Sequence, residues 1–563
     1  MAPFSVQLPA LRLPALKPDE AKLVGALAAG AVASGAVYLL IRRAGRAAPA
    51  VVEVTTLEEL RAYARGGALR DAAAWLFAPT VTAVRVTGHG ARVPSLPRAL
   101  CSLKAMRELS VAGNALTELP RELGALAALR SLDVSHNLLA ALPEDLGGLT
   151  ALTSLNAMGN RLEALPESMG ALAALRRLGL KGNRLRRLPP SVGRLGQLQE
   201  LFLTDNALEA LPAELGACAS LAKLQASHNP ALAALPAELA ALPALELLRV
   251  ACCAIEEVPP ALGAAPALAW LSLAGNPVCA RAAPRRGAAP AVAMEELEMG
   301  RKLGDGASGE VFEAWWRGRR VAAKLFRADL GPDGRTADEV ALAVALSDRH
   351  LVRVLGVLGG AQQPAAAGGL VLEFVEGAVL AAKPTSESLL RCRWPEGAAL
   401  ELPWVLRVAT GVAAALEHMH TRGAAHGDVY AHNVLADAEG NAVLCDYGAA
   451  FFYARSSPLA AAYEGQDARA FGLFLRDLVA RVDIGFDGLE AALDAQKQLL
   501  LLAAQCTTGP PARRPRFGAV RRKLAALQKA AGRGAGGTPR SDSRLAVREA
   551  GPGDAREGYA TTR

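Results

Sequence analysis

Asp428, Asn433 and Asp446 fall within the stretch "HGDVYAHNVLADAEGNAVLCDYG", residues 426–448. Two carboxylates and one carboxamide at this spacing, set around the strand-like runs "NVLAD" and "AVLCD", fit a catalytic loop. Upstream, "GDGASGEV" places Gly304, Gly306 and Gly309 ahead of Val311, and "VAAK" ends on Lys324. Glycines let a loop backbone approach phosphates closely, and a Lys point charge can hold two of them. A lone G-x-G-x-x-G is a weak signal. Here it is the first of several signals in a fixed order.

The elements that must carry these residues are legible around them. "ADEVALAVALSDRHLVRVLG" reads as a helix followed by a strand, with Glu339 on the helix. "LVLEFVEG" reads as a strand running into a connection. "DARAFGLFL" and "CTTGPPARRPRF" follow the carboxylates. Taken in order from about residue 296, over roughly 235 residues, these marks resemble the protein kinase family.

That resemblance implies a bilobal α+β fold that binds ATP and Mg²⁺. It implies that Gly304, Gly306, Gly309, Val311 and Ala322 cover the nucleotide, that Lys324 holds the α- and β-phosphates, and that Glu339 pairs with Lys324. Leu372 falls at the gatekeeper position, and the Glu373 and Val375 backbones offer bonds to adenine. Asp428 matches the aspartate that accepts the hydroxyl proton, and Asn433 and Asp446 match the metal-holding pair. Asp467 would brace the catalytic loop, and Arg514 belongs to the closing motif.

The chain also departs from the family pattern. Gly427 stands where an Arg is expected, which removes one contact for a phosphorylated activation loop. Tyr430 replaces the Lys that serine/threonine kinases place two residues after the catalytic aspartate, a residue that helps neutralise the transferring phosphate. Tyr447 replaces Phe. Only 21 residues separate Asp446 from Asp467, which is short for an activation segment, and no A-P-E occurs. "AYEG" places Glu464 too close to Asp467 to substitute for it, so Arg514 lacks its usual glutamate partner. The form H-G-D-x-x-x-x-N is similar also to small-molecule phosphotransferases such as aminoglycoside and choline kinases.

Ahead of this region Asn114, Asn137, Asn160, Asn183, Asn206 and Asn229 recur every 23 residues; Cys253 and Asn276 continue the series after a one-residue gain. Around them runs L-x-x-L-x-L-x-x-N-x-L-x-x-L-P, as in "LRSLDVSHNLLAALP". This resembles the leucine-rich repeat family. Each L-x-L is a short strand, and each Asn can bond the backbone of neighbouring turns in a ladder that needs stacked repeats. "VTAVRVTGHG" reads as a degenerate first repeat, and Thr56 with Glu59 forms a capping box for a helix running to about Phe77. Strand positions expected on the concave face include Asp133, Ser135, Asn156, Met158, Lys181, Phe202, Thr204, Gln225, Ser227 and Arg249. A protein partner is the expected ligand of that face.

The 563 residues have room for several domains. The net charge of +8 is small for the length, and no dense basic block marks a nucleic-acid surface. The eight Cys form no C-x-x-C pair, as expected of reduced, intracellular domains. Leu23 to Ile41 is free of charge and long enough to cross a bilayer as a helix, about 28 Å; a buried Ala-rich helix or a targeting segment is the alternative.

The expected organisation is therefore multidomain, combining α/β and α+β parts. Residues 1–50 hold a transmembrane helix at 23–41, 51–80 a helical cap, 81–280 the repeats and 281–295 a flexible linker. Residues 296–530 form the kinase-like domain, and 531–563 a disordered tail. Repeats and kinase-like domain would lie together on the cytosolic side of a single-pass membrane protein, or in the cytoplasm if the span is absent. The expected function is a protein kinase, on Ser or Thr, with a signalling role. A nucleotide-binding pseudokinase scaffold and a small-molecule phosphotransferase remain alternatives.

Overall fold

The computed structural model describes residues 40–42, 50–54, 81–86, 93–282, 289–306, 308–331, 334–359, 368–385, 387–483 and 489–534. The first half winds into a solenoid. Eleven strands, from Leu40–Arg42 to Trp270–Ser272, lie side by side in chain order; the first pair is antiparallel and the others are parallel. On the opposite edge each repeat turns through a five-residue 3₁₀ helix, such as Arg121–Ala125 or Ala213–Ala217. The proline of each L-P pair stands just before that helix, where its fixed φ suits the entry and its missing N–H costs nothing.

The leucines of successive turns stack into one continuous core, with Leu132, Leu155, Leu178, Leu201 and Leu224 at most 1% exposed. Beside them runs the asparagine ladder. Asn206 donates through Nδ2 to Leu180 O at 3.0 Å, one repeat back, and to Leu203 O at 3.0 Å. Its Oδ1 accepts the Leu185 N–H at 3.0 Å. Every rung spans two repeats, so a single repeat would leave these buried polar groups unpaired. At the Cys253 rung the thiol keeps a weak bond to Ala226 O, 3.4 Å.

The second half has two lobes. A six-stranded sheet contains Leu297–Asp305, Gly309–Trp316, Arg319–Phe326, Gly369–Glu373 and Val354–Leu358, with Ala291–Val292 at its edge. Helix Thr336–Ala345 packs on it. The larger lobe is helical, built from Leu402–Thr421, Ala460–Val479, Leu489–Thr507 and Phe517–Gly534. "NVLAD" and "AVLCD" pair as the antiparallel hairpin Val434–Ala436 with Ala442–Leu444.

Several expected boundaries change. Leu40 and Ile41, the end of the proposed span, pair as a strand with Glu53 and Val52; residues 23–39 lie outside the described residues. Among the described residues no helix is long and apolar enough to cross a membrane. Residues 51–54 of the expected helical cap are strand, and 55–80, including Thr56 and Glu59, lie outside the described residues. The expected linker is not free throughout. Ala291–Val292 pairs with Val357–Leu358, and Val292 is 1% exposed in the small-lobe core, so apolar burial recruits it. The last helix runs to Gly534, past the expected start of the tail at 531; residues 535–563 lie outside the described residues. On the concave face, Ser135, Thr204 and Ser227 are buried rather than presented, because they follow the strand and turn back toward the ladder.

The two halves share a core. Ala425, Phe451, Leu459, Ala462 and Tyr463 of the large lobe join the apolar cluster of the repeats, while Leu247, Ala269 and Trp270 of the repeats join that of the large lobe. The leucine and phenylalanine side chains buried in this way each contribute about 1.5–3 kcal/mol.

Candidate active site

Strand pairing builds the nucleotide side. Val311 lies opposite Lys324, and Ala322 opposite Leu372. Alternation along Arg319–Phe326 puts Ala322 and Lys324 on one face, so Val311, Ala322, Lys324 and Leu372 share it. The glycine-rich segment is the hairpin that joins the first two long strands: Gly304 pairs with Val311, and the Gly306 N–H donates to Gly309 O at 2.9 Å. A Cβ on Gly309 would lie 2.2 Å from Leu325 O, so only glycine lets the start of this second strand lie against the third, Arg319–Phe326. Glu373 ends its strand with its N–H bonded to Arg353 O and its carboxylate between Arg319 and Arg353; Val375 lies two residues beyond.

Lys324 Nζ donates to Glu339 Oε1 at 2.5 Å and lies 3.8 Å from Asp446 Oδ1. Burial disfavours the ammonium, but the charges of Asp446 and Glu339 outweigh it and raise the Lys324 pKa, so Lys324 stays cationic. Burial also pushes Asp446 up. Lys324, Lys383 and the Gly448 N–H overcome this and hold Asp446 at about 2. Lys383 is an exposed neighbour that no motif announces. Asp446 adopts φ +68°, a left-handed conformation uncommon outside glycine and typical of residues held by their function.

On the catalytic loop Asn433 Nδ2 donates to Asp428 O at 2.9 Å and to Asp428 Oδ2 at 3.0 Å. That leaves the Asn433 Oδ1 oxygen and the ionised Asp446 carboxylate as hard oxygen donors. They fit Mg²⁺, which is held by few protein oxygens together with phosphates. Among the described residues no group of three or more His, Cys, Asp or Glu side chains gathers as a metal site. Asp467 holds the loop from beneath. Its carboxylate accepts the N–H groups of His426 at 2.9 Å and Gly427 at 3.0 Å and contacts His420 Nε2 at 2.9 Å.

Apart from Tyr447, whose hydroxyl bonds Val352 O at 3.2 Å, the departures from the family pattern face the repeats. Gly427 has φ +71°, and a Cβ there would lie 2.3 Å from the carbonyl oxygen of Leu271 on the last repeat strand. Tyr430 stacks on Trp270 of that strand, with ring centroids 4.4 Å apart and planes within 4°. The Trp270 indole N–H donates to Val429 O at 3.1 Å. His432 stacks on the other side of Tyr430, and burial lowers its pKa to about 4, which keeps it neutral. Arg514 donates to Gly465 O at 2.8 Å and to Pro266 O of the repeats at 2.7 Å. Glu464 instead accepts from Tyr453 Oη at 3.0 Å. The last repeats also meet Leu459 and Ala462, within the short segment between Asp446 and Asp467.

Arg249, expected on the concave face, reaches the site: its Nη2 donates to Asp428 Oδ1 at 2.7 Å. Its link to Asp428 was not foreseeable, because the two are 179 positions apart. Trp270 carried no motif signal at all.

A repeat solenoid with an asparagine ladder, joined to a two-lobed fold with this Lys, Glu, Asp and Asn set, defines a repeat-bearing kinase. Residues 297–464 match the family of protein tyrosine and serine/threonine kinases, and residues 104–162 and 173–230 match the leucine rich repeat family. The chain thus carries leucine-rich repeats followed by a protein kinase domain. It is 27% identical over 271 residues to tyrosine-protein kinase Srms of Homo sapiens, covering 42% of this chain and 53% of that protein. It is 37% identical over 115 residues to salt tolerance receptor-like cytoplasmic kinase 1 of Oryza sativa subsp. japonica, covering 20% and 29%. CBL-interacting protein kinase 4 of the same plant is 34% identical over 160 residues, covering 27% and 33%. The chain spans about half or less of the length of these relatives.

Proposed function

We propose that this chain is an ATP- and Mg²⁺-dependent protein kinase acting on Ser or Thr hydroxyls, in a signalling role, with the concave face of its repeats holding a protein partner. The observation that carries this reading is the closed set Lys324–Glu339–Asp446 beside Asp428 and Asn433. A decayed site has no reason to keep a buried Lys–Glu pair. Lys324 positions the phosphates, and Glu339 and Asp446 fix Lys324. Asp428 orients the acceptor hydroxyl and takes its proton. Mg²⁺, when bound, supplies charge neutralisation on the phosphates. A Ser or Thr acceptor is favoured because "VYAHN" lacks the tyrosine-kinase form of the loop.

The partly exposed concave positions Arg177, Lys223 and Phe202, held together by the buried Glu200, support a polar protein partner. Glu200 bridges Arg177 at 3.2 Å and Lys223 at 3.5 Å, while both cations flank the Phe202 ring. The chain sits at a membrane in this reading: residues 23–39 keep an uncharged run of about 26 Å as a helix, at the short end for a span. Release by carbonate extraction would refute that placement.

The full chain with Mg²⁺ and labelled ATP should label itself or a generic protein on Ser or Thr, and Asp428→Ala should abolish the labelling. Stabilisation by ATP with no transfer would favour a scaffold. Label only on small hydroxyl or amino compounds would favour a small-molecule phosphotransferase.

A further inference from the structure

We infer that Arg249, on a repeat strand, is a positioning residue of the phosphoryl-transfer site and occupies the cationic role left vacant by Tyr430. The inference rests on the kinase reading above and adds that the site is incomplete without the repeats.

Three observations carry it. First, Arg249 Nη2 lies 2.7 Å from Asp428 Oδ1, with both side chains largely buried. The contact is charge-assisted, and its low exposure spares it most solvent screening. Second, Asp428 remains usable. Arg249 takes one site on Oδ1 and Asn433 one on Oδ2, while an ionised carboxylate offers about four. Two of those sites are therefore not taken up by these bonds. Third, Tyr430, at the position where the family pattern has Lys, is neutral and stacked away on Trp270. The cation nearest the carboxylate therefore comes from the repeats.

The arrangement around the contact is that of an assembled site. Lys324 is paired with Glu339 and faces Asp446. A contact that only blocked Asp428 would not require the nucleotide side to be set for transfer. Trp270 and Tyr430 fix the height of the repeats over the loop, so Arg249 approaches from a rigid strand rather than a loop.

The test uses the full chain as wild type, Arg249→Met, Arg249→Lys and Asp428→Asn, with transfer rates measured over a range of ATP and protein substrate. Met keeps the stem and removes the charge; melting with and without Mg²⁺ and ATP checks that each variant folds. Arg249→Met should lower kcat about 10- to 100-fold, the scale of a misplaced catalytic group, while KM for ATP changes less than about twofold. Arg249→Lys should recover at least about a third of the lost log rate. A purely structural contact would not give that rescue, and a Lys variant no better than Met overturns the inference. So does an Arg249→Met variant as active as wild type or more active, which would make the contact a spacer or a brake. If wild type and Asp428→Asn are equally inactive while both bind ATP, the kinase reading itself fails and takes this inference with it.

Discussion

On the nucleotide side of the cleft, Lys324, Glu339 and Asp446 hold one another through contacts made within the kinase domain. On the acceptor side, Asp428 is held partly by Arg249, Tyr430 by Trp270, and Arg514 by Pro266, all from the repeats. The first side departs from its family pattern only at Tyr447, an aromatic for an aromatic. The second departs from it at Gly427, Tyr430 and the missing glutamate partner of Arg514. Each of these three occurs where the repeats come within contact distance. The unusual letters are therefore adaptations to a neighbour within the same chain, and the short segment after Asp446 leaves room for that neighbour.

The sharpest way to break this contrast is Trp270→Ala. It removes a 2%-exposed side chain, the Tyr430 stack and the bond to Val429 O. A loss of about 3–5 kcal/mol is expected, with transfer reduced along with it; chemical denaturation together with rate measurement checks both.

Restoring the family residue should have unequal consequences on the two sides. Gly427→Arg forces a side chain against Leu271 O at positive φ, and about 3 kcal/mol of destabilisation is expected, with lower kcat. Tyr447→Phe, on the nucleotide side, loses only the hydroxyl bond to Val352 O at 3.2 Å. About 1 kcal/mol and near-normal transfer are expected from it. Equal tolerance of both changes would dissolve the contrast.

A last test lies within the repeats, at His228. Burial lowers the His228 imidazole, but Asp205 at 2.7 Å and Cys252 outweigh it and raise the pKa to about 9. Against an ordinary value of 6.5, this contributes stability that is full below pH 6.5 and is lost as pH rises through 9. Asp205→Asn should flatten that loss in melts across the same range, leaving the acceptor side untouched.

Much of this was legible in the chain. The 23-residue period announced the ladder because the same bonds recur in every turn. The Gly, Lys, Glu, Asp and Asn series announced the nucleotide side because local strands and loops position it. Gly427 and Tyr430 were visible as departures, but their reason was not. Leu271 is 156 positions before Gly427, and Trp270 is 160 before Tyr430. No local periodicity links positions so far apart. Arg249 was legible as a concave-face residue and not as a partner of Asp428, because the pairing depends on how two domains dock. Ser135, Thr204 and Ser227 escape the strand alternation because each three-residue strand ends two positions before them.

The central claim is that the last repeats form the acceptor-side wall of the site. It is tested most directly by comparing kcat of residues 289–534 alone with that of the full chain, at equal ATP and Mg²⁺. The account predicts that the isolated segment, stripped of Arg249, Trp270 and the shared core, transfers at least about tenfold more slowly. A segment that folds and transfers phosphate as fast as the full chain would contradict it.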